Sequence, residues 1–384
     1  MRYLIQGVFL VTAFTTFGQN SLVAIFDRGS EEFKAVLADP RYEVQVIYGQ
    51  VSGDAIIHHT IGVDSSRYFY PASSVKMLTA IAAVQRLNEM GWPLSTQIQL
   101  DSTDIHPRFL THDQLFDGPI TVEHLIKKIF TYSDNQAYNV LFGWLGREYI
   151  AGVFEEVGLP VRITHQLGES AFAFPPEANA NSQVVKLINP KTSAELSLQS
   201  APQKVRWAGD VTEQVKGVGY LRRGTVVDEP FDFSGKNFAP LTSLLGAMER
   251  IQYPEAFSPE ERFKLTDTLR KELIEIMDLY PSDMPPPIDS LADNYVKFFL
   301  YGDQDQAEIP DYLHIHNKVG WAYGYLTDVA YIQDERAGVS FFLAATIHVN
   351  ANQIYNDGVY EYKEVGLPFL AELGRLIHSY EIGQ

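Results

Sequence analysis

Residues 41–48 alternate between polar and apolar side chains, and a second such run, 55–63, follows the tripeptide Ser52-Gly53-Asp54. Period-two alternation on both sides of a turn-forming tripeptide predicts a β-hairpin. From Ser73 the period changes. Val75, Leu78 and Ala82 recur at helical spacing and Gly91 follows as a stop, which predicts a helix over 73–90. Residues 120–157 read as two or three helices, with Thr121 and Glu123 at the start of the first. Residues 179–210 are polar and mixed with neither period, and are expected to form a long loop or insertion. Residues 259–279 are helical in pattern, and 281–287 break the chain with Pro281, Pro285, Pro286 and Pro287. Three strand-like runs follow, 313–319, 326–332 and 339–349, and an amphipathic helix over 367–380 closes the chain.

Strands thus sit at both ends and helices in the middle. The economical fold is α/β of the α+β type: an antiparallel sheet built from the two chain ends, with a helical lobe inserted between them. On this reading one domain spans 19–384. Its sheet lobe takes about 19–72 and 312–384, its helical lobe about 73–311, with an insertion at about 179–224. No internal repeat is visible. The first residues stand apart: Met1-Arg2 is a short positive start, 3–17 is mostly apolar, and Gly18-Gln19-Asn20 is small and polar. That pattern predicts a secretory signal peptide over 1–18 and an exported, periplasmic or secreted protein with no membrane span once processed.

Composition removes several function classes. The chain of 384 residues has no Cys, which rules out disulfide frameworks, thiolate metal sites and cysteine nucleophiles. Its formal net charge is −18, so phosphate repulsion makes nucleic acid an unsuitable partner. A small-molecule substrate and a monomer are expected. No metal or organic cofactor is called for: His314-x-His316 and the adjacent His58-His59 read as ordinary structural histidines.

Three short motifs carry chemistry. Ser73-Ser74-Val75-Lys76 has the S-x-x-K spacing, which places a hydroxyl at the first turn of a helix and an amine one turn later on the same side. A serine hydroxyl is a weak nucleophile until a base takes its proton, and a lysine whose pKa is lowered by burial can be that base. Ser133-Asp134-Asn135 lies between two helical segments and offers a second hydroxyl and an amide. Lys318-Val319-Gly320 ends a strand-like run beside the turn 321–325, where a Gly lets a ligand approach the backbone and a Lys attracts a carboxylate. Singly, each motif is as compatible with a helix cap, a surface lysine or an edge strand.

Together, in this order and on helix, inter-helix loop and late strand, they resemble the penicillin-recognising serine hydrolases, in particular the class A β-lactamases, with their S-x-x-K, S-D-N and K-T-G motifs. Tyr70-Pro71-Ala72 before Ser73, 136–139 after Asn135 and 327–330 after the third motif agree with the likeness. The resemblance implies Ser73 as the acylated nucleophile, Lys76 as its base and Ser133 as a proton carrier to the leaving group. It implies substrate binding by Asn135, Lys318 and Gly320, and an oxyanion hole from the backbone N–H groups of Ser73 and Trp321. β-Lactam hydrolysis is the activity it favours. The alternatives are a penicillin-binding D,D-peptidase, transpeptidase or esterase with slow deacylation, and a retired module that binds cell wall or a partner protein.

Three departures bear on that expectation. Val319 replaces the hydroxyl residue of K-T-G, so a hydrogen bond to the substrate carboxylate is missing. The E-x-x-x-N pattern of the water-activating glutamate has Pro175 at the glutamate position, and Glu177 and Glu169 are the nearest substitutes. The interval from Ser133 to Lys318 is long, through the inserted residues. Other hydrolytic signatures are missing: Gly168-Glu169-Ser170 lacks the second glycine of a nucleophile elbow, there is no H-E-x-x-H, and Gly217-Val218-Gly219 is no phosphate loop.

Overall fold

The computed structural model describes residues 17–100, 118–168, 179–207, 209–284 and 291–383. The expected hairpin is β1 (Gln45–Ser52) and β2 (Ala55–Ile61), preceded by helices α1 (Phe17–Phe26) and α2 (Glu31–Ala38). The long central helix is α3 (Val75–Met90), entered through a 3-10 turn, Ala72–Ser74, and stopped by Gly91 at φ 66°. Strand β3 (Gln97–Leu100) precedes three helices, α4 (Val122–Tyr132), α5 (Asn135–Leu145) and α6 (Arg147–Glu156). Each of the first two starts as its sequence dictates: the Thr121 side chain caps α4 by accepting from His124 N, and the Asp134 side chain caps α5 by accepting from Ala137 N.

The stretch expected to be a long loop or insertion is not irregular throughout. It contains β4 (Val185–Ile188) and β5 (Glu195–Leu198), which extend β3 into a three-stranded antiparallel sheet. Short strands β6 (Val215–Lys216), β7 (Gly219–Arg222), β8 (Thr225–Val227) and β9 (Phe231–Asp232) follow. Then come α7 (Leu241–Gln252) and α8 (Asp267–Asp278). The helix expected from residue 259 therefore begins eight residues later, because Pro259–Glu261 is a separate 3-10 turn and Thr266 supplies the cap. A short kinked helix, α9 (Phe298–Tyr301), leads to β10 (Leu313–Ala322), β11 (Tyr325–Asp334) and β12 (Val339–His348), then to β13 (Ile354–Tyr355) and the closing helix α10 (Leu367–Ile382).

The main sheet has the order β10-β11-β12-β1-β2 and is antiparallel throughout, with β1 from the start of the chain hydrogen-bonded to β12 from its end. Alternation sends successive side chains to opposite faces. On β12, Phe342 and Ala344 join the core shared with the helical lobe, while Phe341, Leu343, Ala345 and Ile347 join a second core under α1 and α10. α7 packs on the first face against β1, β11 and β12, and α10 packs on the second. Leu343 sits fully buried in the second core. Leu343→Ala should cost about 2–5 kcal/mol of unfolding free energy in urea titrations; a loss below 1 kcal/mol would mean that this core collapses around the gap.

Candidate functional site

The sheet and the helical lobe meet at one edge. Gly320 on the edge strand β10 lies against the 3-10 turn that carries Ser73. A β-carbon at Gly320 would stand 2.4 Å from the Pro71 carbonyl oxygen, 2.8 Å from Ser74 N and 2.9 Å from Ser73 N. Only glycine permits that approach, since all three atoms are backbone. Ala72, just before Ser73, holds φ 46°, a left-handed conformation that costs a non-glycine residue roughly 1–3 kcal/mol. The turn thus stores strain next to the half-buried Ser73.

Lys76 follows one turn later and is fully buried. Its Nζ donates to the Ser133 carbonyl and, at 2.7 Å, to Asn135 Oδ1, with Ser133 Oγ at 3.3 Å. Burial lowers its pKa to about 7, opposed only in part by the field of Asp134. Ser133 ends α4 in the left-handed conformation, φ 59°, which turns the chain sharply enough to present its hydroxyl between two amines. The second amine is Lys318 Nζ, 2.9 Å from Ser133 Oγ and 2.8 Å from the Val319 carbonyl. Lys318 is also buried, and burial, reinforced by the nearby Lys76, pulls its pKa well below the usual lysine value. Ser73, Lys76, Ser133, Asn135, Lys318, Gly320 and Trp321 are therefore gathered at one place. The arrangement holds a hydroxyl, a buried amine close to neutrality and a second hydroxyl linked to a second amine, which are the parts of a proton-transfer chain.

A shallow cleft of about 30 Å³ lies along this edge, lined by Ser73, Ser133, Tyr295, Val296, Phe298, Val319, Gly320 and Trp321. Tyr295, Val296 and Phe298 were not foreseen from the sequence. They come from a 3-10 turn and a kinked helix with φ 73° at Leu300, where no period marks them. Beneath them lies a buried polar network equally invisible in the sequence. Lys297 Nζ donates to the Ile315 carbonyl at 2.6 Å and to Asn317 Oδ1 at 3.0 Å. Asn317 Nδ2 in turn donates to Asp328 Oδ1 and to the Val296 carbonyl, both at 2.8 Å, and Phe299 N donates to Asp328 Oδ2. Burial pushes the Asp328 carboxyl up to about 6 and Lys297 down to about 8.

Glu169, Glu177 and Pro175 lie outside the described residues. The chain on either side of them is tied down: Asn139 exchanges two hydrogen bonds of 2.8 Å with the backbone of Leu167, and Asn179 Oδ1 accepts from Gln166 N at 2.9 Å. The histidines have protein partners. His314 Nδ1 meets Asp278 at 2.6 Å, His316 Nδ1 meets the Ile274 carbonyl, and His58 meets Glu249 at 2.5 Å. Among the described residues no cluster of three or more metal-ligating side chains exists, and no helix is long and apolar enough to cross a membrane.

Comparison with known proteins bears on both fold and family. Residues 29–199 match the model of the β-lactamase enzyme family. Among solved structures, a variant of the TLA-1 extended-spectrum β-lactamase aligns over 95% of this chain and 99% of its own, at 12% identity and a TM-score of 0.55. The TLA-3 extended-spectrum β-lactamase aligns over 95% and 98%, at 12% identity and 0.51. An ancestral class A β-lactamase aligns over 94% and 99%, at 15% identity and 0.50. At these identities the likeness is one of fold. A search of curated proteins finds no match.

The backbone contact at Gly320 yields a direct test. Gly320→Ala must push β10 away from the Ser73 turn, and should lower unfolding free energy by about 1–3 kcal/mol in urea. Unchanged stability would mean that strand and turn separate without cost.

Proposed function

Because residues 29–199 match the model of the β-lactamase enzyme family and the chain has the fold of class A β-lactamases, we propose that it is a serine hydrolase that opens β-lactam amides through an acyl-enzyme on Ser73. The observation that carries this reading is the state of Lys76: buried, bonded to neutral oxygens and with a pKa near 7, so that its amine is available as a base at ordinary pH. Lys76 takes the Ser73 proton as Ser73 Oγ bonds to the carbonyl carbon. The oxyanion that forms is met by the N–H groups of Ser73 and Trp321, a pair of donors worth several kcal/mol of barrier. Ser133, in contact with Lys76 and Lys318, passes a proton to the leaving nitrogen as the C–N bond breaks. Asn135, its Oδ1 occupied by Lys76, offers its NH₂ to the acyl side chain. Water then hydrolyses the ester, releasing the acid and restoring the Ser73 hydroxyl. The pattern at residues 1–18 supports an exported protein.

A second reading is favoured by one observation, Pro175 where the water-activating glutamate is expected. Without that base the acyl-enzyme persists, as in a penicillin-binding D,D-peptidase, transpeptidase or slow esterase. A retired binding module would leave Ser73 unacylated.

Intact-mass spectrometry during incubation with benzylpenicillin separates the three. An adduct that forms and decays supports hydrolysis; one that forms and stays supports the second reading; no adduct refutes Ser73 acylation by penicillins. Ser73→Ala should abolish the adduct, and its survival there would overturn the assignment.

The acylation rate should also depend on pH with a definite sign. Lys76 acts only as the neutral amine, so the rate should rise as pH increases through an apparent pKa near 7. Lys76→Arg, which stays charged, should lower the rate about 10²–10⁴-fold across that range. A flat profile in the wild type would exclude Lys76 as the base.

A further inference from the structure

The cleft is unsuited to a carboxylate. None of the eight described residues lining it is charged, and five of them, Tyr295, Val296, Phe298, Val319 and Trp321, are apolar or aromatic. Val319 carries no hydroxyl to meet a carboxylate, and it belongs to the same buried apolar cluster as Val296 and Phe298. The nearby cations are committed to protein oxygens. Lys318 Nζ is spent on Ser133 Oγ and the Val319 carbonyl, and Lys297 Nζ on the Ile315 carbonyl and Asn317. A substrate carboxylate beside this wall would lose water and find no charged partner among the described lining residues, which is unfavourable.

The same wall is suited to a ring. Trp321 is 43% exposed and Tyr295 37% exposed, although both are large and apolar. The Trp321 ring lies nearly parallel to Phe298 at 5.5 Å and to Tyr362 at 6.2 Å, and edge-on to Tyr295 at 6.1 Å. Four aromatic side chains thus form a continuous rim beside Ser73. The rim is rigid, because Asn317 and Asp328 hold the backbone of Val296 and Phe299 from below. Exposed aromatic surface on a fixed frame gains affinity without an ordering cost.

We propose that the substrate of this site carries a neutral aromatic group, in place of a carboxylate, on the leaving-group side of the bond that Ser73 attacks, docked against Trp321 and Tyr295. The proposal rests on the acyl-transfer reading of the cleft. Trp321 and Tyr295 are then the residues that set substrate class.

The test compares benzylpenicillin as the free acid with its neutral benzyl ester, by isothermal titration on the Ser73→Ala variant, where binding is read without chemistry. The benzyl ester should bind at least fivefold tighter than the free acid. Adding Trp321→Ala should reduce that preference to within twofold, and Trp321→Phe should keep most of it. Tyr295→Ala, at a second exposed position, should also weaken the preference and serves if Trp321→Ala does not fold. Equal or tighter binding of the free acid overturns the proposal, as does a preference that survives loss of both rings. Intact-mass analysis of the wild type with the benzyl ester separates the two levels. Preferential binding with no adduct upholds the aromatic rim and refutes acyl transfer, whereas an adduct formed equally well by acid and ester upholds acyl transfer and refutes the rim.

Discussion

Everything at the cleft depends on one backbone-to-backbone contact, the seating of Gly320 against the turn that carries Ser73. It joins the edge of the sheet to the N-terminal end of α3 with no side chain between them. That closeness brings Lys318, two residues earlier on β10, within 2.9 Å of Ser133 Oγ, and Ser133 in turn contacts Lys76 from the opposite side. Three elements from distant parts of the chain are fixed relative to one another by a position where even one methyl group would collide.

The electrostatics follow from this crowding. Surface ion pairs contribute about 0–1 kcal/mol and are screened by salt. The two lysines at the cleft are different in kind: among the described residues neither forms an ion pair, both are buried, and Lys76 opposes protonation of Lys318. Burial thus favours the uncharged form of both amines at some cost in fold stability. The neighbouring network of Lys297, Asn317 and Asp328 solves the opposite problem. There a buried cation and a buried acid share an amide between them, and the result is a stiff support for the cleft wall.

Much of this was legible in the sequence. Period-two and helical patterns marked β1, β2, α3, β10, β11, β12 and α10, since each buries a continuous apolar face. The motif residues were readable because their spacing maps onto a single helical turn, a helix junction and a strand end. The strands β4 and β5 were not, because each has only four residues, too short a run for its alternation to stand out from the mixed polar stretch around it. The wall of Tyr295, Val296 and Phe298 escaped for a related reason: it is irregular backbone, and its place beside Ser73 is set by tertiary contacts. That Lys297 and Asp328 are both buried is revealed only by the fold. β10 also runs three residues past its expected end, with Tyr323 and Gly324, at φ 55° and 80°, making the tight turn to β11.

The pairing of β1 with β12 has a consequence for how the chain comes to be folded. Gln45 lies opposite Thr346, so the middle of the main sheet joins residues some three hundred positions apart. At synthesis rates of about 5–20 residues per second, β1 waits roughly 15–60 s for its partner. Until then the hairpin β1–β2 has an unpaired edge, and neither core can close around it. Completion of the fold is therefore an event of the finished chain, and a long-range pairing of this kind is slow to nucleate. A protein built this way carries an incomplete main sheet through most of its own synthesis.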